Sequence, residues 1–589
     1  MPDFSKQRTK TSLLVKKVGS KALDLQSNSS QHVSKHIIKR AQRIVGVRRF
    51  IAGWLLIVLL LSITTIATLL QVQHASRQTT ATTGGTYTEG LVGTINNLNP
   101  LFSNGPIDES ASHLIFNGLL RYDTTGALVP DVATDWQVDD SHKVYTVNLR
   151  QDVRWQDGQP LTADDVVYTI TTIQDPEARS TLFASWQGIK VSAVTDHQVK
   201  FELSAPLAPF PNALVVPLLP KHILGNIKPN LLRTASFNTN PIGTGPFVFS
   251  ALRNEHGKEQ QLELKQNVGY YRGTPKLERF VLHAYPDDST LANALKNREI
   301  TAAVDLKADS VDRFAKDTSI RPVDIPLNRG VFAFFKTTSA PLTDANLRVA
   351  LAEAIDRQPI LELFKDRYAA LKNPLLPSQL GFDATFSQQT NLADAAAKLD
   401  SLGWLKQSNG IRAKDGQPLE LSLVTVNSAQ YTAVASQLQK EWAAVGVSIK
   451  PQLLSPDQLE QTALSGHAYD ILLYGISIGN DPDVYAYWHS SQARAGGLNF
   501  SEWQSGRADT SLEVARTRLE SVLRQARYKT FQDEWLKAAP AVALYQPRVS
   551  YAYHQNATGF VIFPSNDAAD RLTNVESWTV NTKLVNQTP

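Results

Sequence analysis

The sequence predicts an α/β protein held outside a membrane by one N-terminal transmembrane helix. Three observations predict this. Phe50 to Leu70 is a 21-residue run without a charge. Strand-like alternation and helical 3.6-residue patterns succeed one another through the second half, the β-α-β order of an α/β domain. The chain has 589 residues, 42% apolar and 19% charged, an ordinary globular composition too long for a single core.

The N-terminal segment is basic. Residues 1–49 carry twelve Lys/Arg against Asp3 and Asp24, a net +10, and the whole chain is +4, so the remaining 540 residues sum to −6. The basic character belongs to the tail, which argues against a nucleic-acid partner for the body. Residues 1–49 read as a disordered cytoplasmic tail, with His32 and His36 as solvated side chains rather than a metal pair. Residues 50–70 form the transmembrane helix: about 31 Å at 1.5 Å per residue, against about 30 Å of hydrocarbon. Arg48-Arg49 before the run and Gln, Thr and Ser after it place the N-terminus in the cytoplasm and the C-terminal body outside. A signal peptide cut near Ala75-Ser76 is the competing reading, but its apolar region would be shorter. Residues 71–85 (QVQHASRQTTATTGG) read as a linker.

The body has no cysteine, which excludes disulfides, thiolate metal sites and a cysteine nucleophile. It also excludes a lipidated cysteine as anchor. Thr86–Gly93 reads as a strand and Ala111–Leu120 as a helix. Val144–Leu149 and Val153–Trp155 read as hairpin strands, followed by an Asp157-Gly158 turn. Thr162 and Asp165 form a capping box for the next helix. Pro206 to Pro229 is an apolar, proline-rich loop. Gly243-Thr244-Gly245-Pro246 is a tight turn into the strand from Phe247; a phosphate loop would need a following Lys-Ser/Thr and a helix start, and neither is present. Further on, Leu347–Arg357, Ala393–Leu402 and Tyr431–Val445 read as helices. Leu419–Thr425, Val447–Leu453 and Tyr469–Tyr474 read as strands.

Seven segments in order then carry a family resemblance. They are NGLLRYDTTGALVPDVATDWQVDD from Asn117, LRQDVRWQDGQPLTADDVVYTI from Leu149, PIGTGPFVF from Pro241 and NVGYYRGTPKLERFVL from Asn267. APLTDANLRVALAEAIDRQPI from Ala340, LGWLKQSNGIRAKDGQPLELSL from Leu402 and YDILLYGISIGNDPDVYAYW from Tyr469 follow. Across roughly 88–560 the chain resembles the family 5 extracellular solute-binding proteins, the oligopeptide, dipeptide and nickel binders of ABC importers. The resemblance implies a two-lobe periplasmic-binding-protein-like fold, type II, in its large three-domain form. Lobe one would be 86–116, 236–335 and 549–589; domain II, inserted, 117–235; lobe two 336–548. It implies a monomer that shuts over a small ligand, a short peptide by preference, and delivers it to ABC permease subunits, with no cofactor and no catalysis.

Peptide-binding members pair the ligand's α-ammonium with a lobe-two aspartate, set after a Gly-Trp step and three residues before the acidic residue of an Asp/Glu-Pro pair. Here that pair is Asp481-Pro482, the Gly-Trp step falls on Gly475-Ile476, and the anchor position on Ile478. An isoleucine does not compensate a buried ammonium. Either Asp481 or Asp483 supplies the charge from a shifted loop, or the ligand lacks a free amino terminus, or the register is displaced. Phe183 matches a tyrosine that touches ligand in the family and reads equally well as core. Asn104 and Gly105, after the first strand, are further lining candidates. Two rival classes stand beside transport. A ligand sensor or scaffold would use the same fold and suits the anchor and tail. A hydrolase is disfavoured because the body shows no nucleophile elbow, zinc-ligand pair or phosphate loop.

Overall fold

The computed structural model describes residues 48–75, 77–255 and 259–586. The segment 1–47, with His32 and His36, and Ser76 of the alternative cleavage site lie outside the described residues. The described residues fall into two compact units, one from the stretches 48–80 and 583–586 and the other from 81–582.

In the first unit Arg48–Ala75 is a 28-residue helix. It continues five residues past Leu70 into the expected linker, over Gln71–Ala75, a stretch with no glycine or proline to stop it. Arg77–Thr82, also expected as linker, is a strand paired with Asn581–Asn586 in a two-stranded sheet. Trp54, Leu55, Leu61 and Ile66 are exposed. Described side chains take in 52–68 of this helix. Among the described residues no helix is long and apolar enough to cross a membrane.

Among the described residues the second unit has two large sheets, a four-stranded one, and two minor ones of three and two strands. The first has seven strands in the order Ile320–Pro326, Arg548–His554, Ala302–Val304, Thr86–Val92, Arg279–Tyr285, Glu259–Gln266, Phe247–Glu255. A four-stranded antiparallel sheet, Ala133–Val138, Val144–Leu149, Gln198–Glu202 and Lys190–Thr195, shares its core through residues such as Tyr87, Val147 and Phe201. The second large sheet has six strands: Ala369–Ala370, Ala541–Gln546, Arg329–Phe335, Ile471–Ser477, Glu420–Val426, Ser448–Leu454. Its central strands read as nearly continuous apolar runs because both faces are covered. Alternation sends Val331, Ala333 and Phe335 into one core and Phe332 and Phe334 into another.

Two adjacent chain crossings join the large sheets. Ile320–Pro326 runs into Arg329–Phe335, and Ala541–Gln546 runs into Arg548–His554. The crossings bond to each other: Leu327 N–H donates to Pro547 O at 3.0 Å and Gln546 Nε2 to Leu327 O at 2.8 Å. Two short, mutually bonded connections are hinge geometry, since few dihedrals need change for the sheets to move.

Some local expectations shift. The first body helix is Pro106–Ile115, not 111–120: Pro106 sits at its first turn, and Phe116 is extended. Gly118 then passes so close to Val215 that a Cβ there would lie 2.5 Å from its carbonyl oxygen. Val153–Trp155 makes only an isolated bridge, Arg154 to Pro160. Asp356-Arg357 lies between helices Ala345–Glu353 and Gln358–Glu362. Buried Arg357 donates to the Leu371 and Ala543 carbonyls.

Candidate functional site

Two concavities adjoin at the double crossing. The larger, about 510 Å³, is lined from the connections around the seven- and four-stranded sheets and from the short strand Leu120–Tyr122, by residues that include His113, Tyr122, Trp186, Asn566 and Asp567. The smaller, about 410 Å³, opens on the six-stranded sheet between Arg329, Glu460, Tyr474, Gly475, Ser477 and Tyr487. Asn328, buried in the first crossing, joins them: its amide donates to Asn480 Oδ1, and to Asn566 Oδ1 at 3.1 Å. Contacts also bridge the two halves away from the cavities. Ala208 N–H donates to Arg516 O at 2.8 Å, and Arg367 reaches Asp312 at 3.2 Å and Asp324 at 3.3 Å.

The inner wall of the larger cavity is a satisfied ionic network. Asp131 accepts from Asn117 Nδ2 at 2.9 Å and from Tyr271 Oη at 2.7 Å, and Arg272 lies 3.4 Å away. Burial, then the charge of Asp131, push the Tyr271 hydroxyl well above its ordinary range, so it stays a donor.

Its other end is acidic. Helix Pro106–Ile115 presents His113 to it, with Glu109 one turn earlier on the same helix, and Asp567 and Asp570 stand at the start of the 3₁₀ segment Ala568–Ser577, with Asp567 as its cap. His113 Nε2 is 3.5 Å from Asp570 Oδ1, and its Nδ1–H donates to Glu109 O at 3.1 Å. Burial opposes charge on this ring, but the bond to Asp570 and the field of Asp567 outweigh it and raise the pKa to about 9. Burial, then Asp570, raise Asp567; burial, then Asp567, raise Glu109. For a raised histidine the stabilisation is whole below the unfolded value, about 6.5, and is lost as pH rises through about 9. Denaturation in urea should therefore show wild type losing stability between those values relative to His113→Gln, with the imidazole titrating near the upper one by NMR.

The structure scatters the residues singled out from sequence. Gly475 lies in the smaller cavity, opposite Val331 in the strand register. Ile476 also borders it, but Ile476 and Ile478 are buried in the apolar core behind the sheet. Asp481 is bound to Arg524 at 2.6 Å and Asp483 to Arg516 at 3.2 Å. Burial raises Asp483, with Arg516 opposing. Both aspartates already have a cation in their own half of the molecule. Asn104 is exposed, with its N–H 3.3 Å from Asp108 Oδ2, and Gly105, at φ +119°, precedes the helix at Pro106. Phe183 is half-buried; its neighbours Leu182 and Ser185 line the larger cavity instead. Sequence reading missed Arg329, Glu460, Asn328, Asn566 and Asp567. A charged residue at the head of the apolar strand RGVFAFF was the available signal for Arg329. Among the described residues no cluster of His, Asp and Glu is arranged to hold a metal.

The Arg524 side chain is 9% exposed and also donates to Ala515 O at 2.8 Å. Asp481→Asn should cost about 3 kcal/mol in urea unfolding, as expected when a buried cation loses its counter-ion.

Comparison with known proteins agrees with this architecture. The family model for bacterial extracellular solute-binding proteins, family 5 (middle part), matches residues 127–497. Protein XP55 of Streptomyces lividans is 29% identical over 458 residues, 75% of this chain and 80% of its own. The oligopeptide-binding protein AppA of Bacillus subtilis is 26% identical over 508 residues, 84% of this chain and 91% of its own. The crystal structure of NikZ from Campylobacter jejuni in complex with Ni(L-His) superposes with a TM-score of 0.68 at 27% identity, over 84% of this chain and 99% of that one. The family is one of non-enzymatic binding proteins of ABC transporters. The chain belongs to the family 5 bacterial extracellular solute-binding proteins.

Proposed function

We propose that this chain is a membrane-anchored binding protein that captures a short peptide between two lobes and delivers it to the permease subunits of an ABC importer. The observation that carries the reading is the pair of concavities meeting at a doubly crossed hinge. The name of the relative AppA, an oligopeptide-binding protein, supports the ligand class. In this reading the seven-stranded sheet anchors lobe one, the four-stranded sheet is the core of inserted domain II, and the six-stranded sheet forms lobe two. In this reading the charge-free run 50–70, which is longer than the stretch 52–68 whose side chains are described, crosses the membrane once, about 31 Å at 1.5 Å per residue, with its basic end in the cytoplasm. Ligand shifts the population toward the closed form, and tethering keeps the loaded protein near its permease. A micromolar dissociation constant, about −8 kcal/mol, biases closure while permitting release.

The test is to purify the full chain in detergent, release bound molecules with acid, and identify them by mass spectrometry. Calorimetry and small-angle scattering with free peptides of two to nine residues follow. Released peptides and a ligand-dependent contraction are expected. No retained peptide, and scattering unchanged across the series, would overturn the reading.

A further inference from the structure

We propose that the smaller cavity is a dipolar subsite in which Arg329 takes a carboxylate and Glu460 a cationic group of the same zwitterionic ligand. The inference rests on the binding-protein reading above and specifies which end of the ligand meets which wall.

The polar groups around the crevice divide into spent and unspent. Arg272 is bound to Glu576 at 2.5 Å, Arg516 to Asp483 and Arg524 to Asp481. Arg329 differs. Among the described residues it makes no ion pair and no side-chain hydrogen bond, although it lines the cavity and is exposed to it. Its field still reaches groups on both sides of the crossing: burial raises Glu109 on the one side and Tyr431 and Tyr487 on the other, and the charge of Arg329 opposes that rise in each. Arg329 is thus a cation at the junction of the two halves with its guanidinium uncommitted.

The cavity is shaped around it. Arg329 pairs with Ser477 in the antiparallel register, and Val331 with Gly475, so Arg329, Gly475 and Ser477 share one face of the sheet. A Cβ at Gly475 would stand 2.8 Å from the Tyr431 hydroxyl, so the glycine lets that hydroxyl pack against the strand. Burial, then neighbouring tyrosines, raise Tyr431 to about 12, so its hydroxyl is neutral. Tyr487 donates to Ser477 O at 2.8 Å and is held as a fixed wall.

Glu460 lies on another wall of the same cavity, in the π-helical turn Leu459–Leu464. Such turns interrupt a helix and cluster at functional sites. Glu460 is exposed and makes no salt bridge among the described residues. Its charge, after burial, raises the Tyr474 hydroxyl, which places it at the same cavity. A guanidinium and a carboxylate on two walls of about 410 Å³, more than 4 Å apart and each without a partner, present opposite charges to one small molecule. Arginine suits the carboxylate end because its planar fork binds two oxygens at once.

The test uses the full chain in detergent and calorimetry with one dipeptide or tripeptide that the wild type binds, in three forms: free, C-terminally amidated and N-acetylated. Arg329→Gln should weaken the free peptide about 10- to 100-fold, the range of a charge-assisted hydrogen bond, and leave the amide unaffected. Arg329→Lys should recover part of the loss. Glu460→Gln should weaken the free peptide and leave the N-acetyl form unaffected. Equal losses for free and blocked peptides, or none, would overturn the subsite while leaving the binding-protein reading intact. A wild type that binds no peptide in any form would overturn the peptide reading and the subsite with it.

Discussion

Replacing Arg571 by alanine is expected to lower the unfolding free energy by about 3–5 kcal/mol, the cost of stripping one partner from a buried pair. Glu89 and Arg571 are 0% and 2% exposed at the side chain, and they are bound to each other through both carboxylate oxygens. Glu89 lies on the central strand Thr86–Val92 of the seven-stranded sheet, and Arg571 on the segment Ala568–Ser577. Tyr551 donates to Glu89 Oε2 at 3.1 Å, and Arg571 also reaches Ser110 Oγ at 3.1 Å. The charge left on Glu89 would have no water to replace the guanidinium. Urea unfolding followed by tryptophan fluorescence measures the loss. A double variant, Glu89→Leu with Arg571→Met, should recover most of it, because an apolar pair of similar volume removes both charges together. A recovery absent from the double variant, with the single variant harmless, would show that the pair carries no such weight. The consequence for binding is local: Arg571 holds in place the segment that presents Asp567 and Asp570 to the larger cavity.

The fold was legible where one period covered a whole element. The strand Ile471–Ser477, expected at 469–474, declares itself because both faces of the six-stranded sheet are buried, whereas Arg329–Phe335, just as apolar, was not singled out; the capping pair Thr162 and Asp165 marks its helix, with Thr162 N–H donating to Asp165 Oδ2 at 2.9 Å. Boundaries failed where tertiary contact decides: the helix expected at 111–120 starts at Pro106 and stops at Ile115, where the chain must pass under Val215. The candidate site was far less legible. Asp481 and Asp483 looked available because sequence does not show that Arg524 and Arg516, more than 30 positions away, are folded onto them. Asn328, Asn480 and Asn566 meet from three distant stretches, and no local pattern marks such a meeting. A resemblance located the family and the crevice; which charges in it are unspent is a property of packing alone.

Gly243→Ala is expected to destabilise the protein by about 3 kcal/mol or more, at or beyond the top of the usual overpacking range. A Cβ at 243 would lie 1.9 Å from Ile115 O and 2.7 Å from Ile115 C. Those are backbone atoms at the end of helix Pro106–Ile115, so no side-chain rotation relieves the clash. The turn is also bonded on each side. Gln156 N–H donates to Gly243 O at 2.9 Å, Gly243 N–H to Gln156 Oε1 at 3.0 Å, and Gly245 N–H to Ile115 O at 2.8 Å. Gly245 is equally confined, with a Cβ 2.5 Å from Ile115 C. The two glycines of this Gly-Thr-Gly run thus serve backbone-to-backbone contact, which is why the motif resembles a phosphate loop in composition and not in use. Gly506→Ala is the control: nothing lies within 4 Å of its Cβ at the start of helix Gly506–Thr517, and its cost should stay within about 0.5 kcal/mol. Urea midpoints separate the two variants, and equal midpoints would mean the turn has room that the geometry denies it. Because the displaced helix carries Glu109 and His113, any Gly243→Ala protein that does fold should also show the His113 titration moved below about 9. That shift reports on the acidic wall independently of stability, and it ties a glycine with no ligand contact to the electrostatics of the larger cavity.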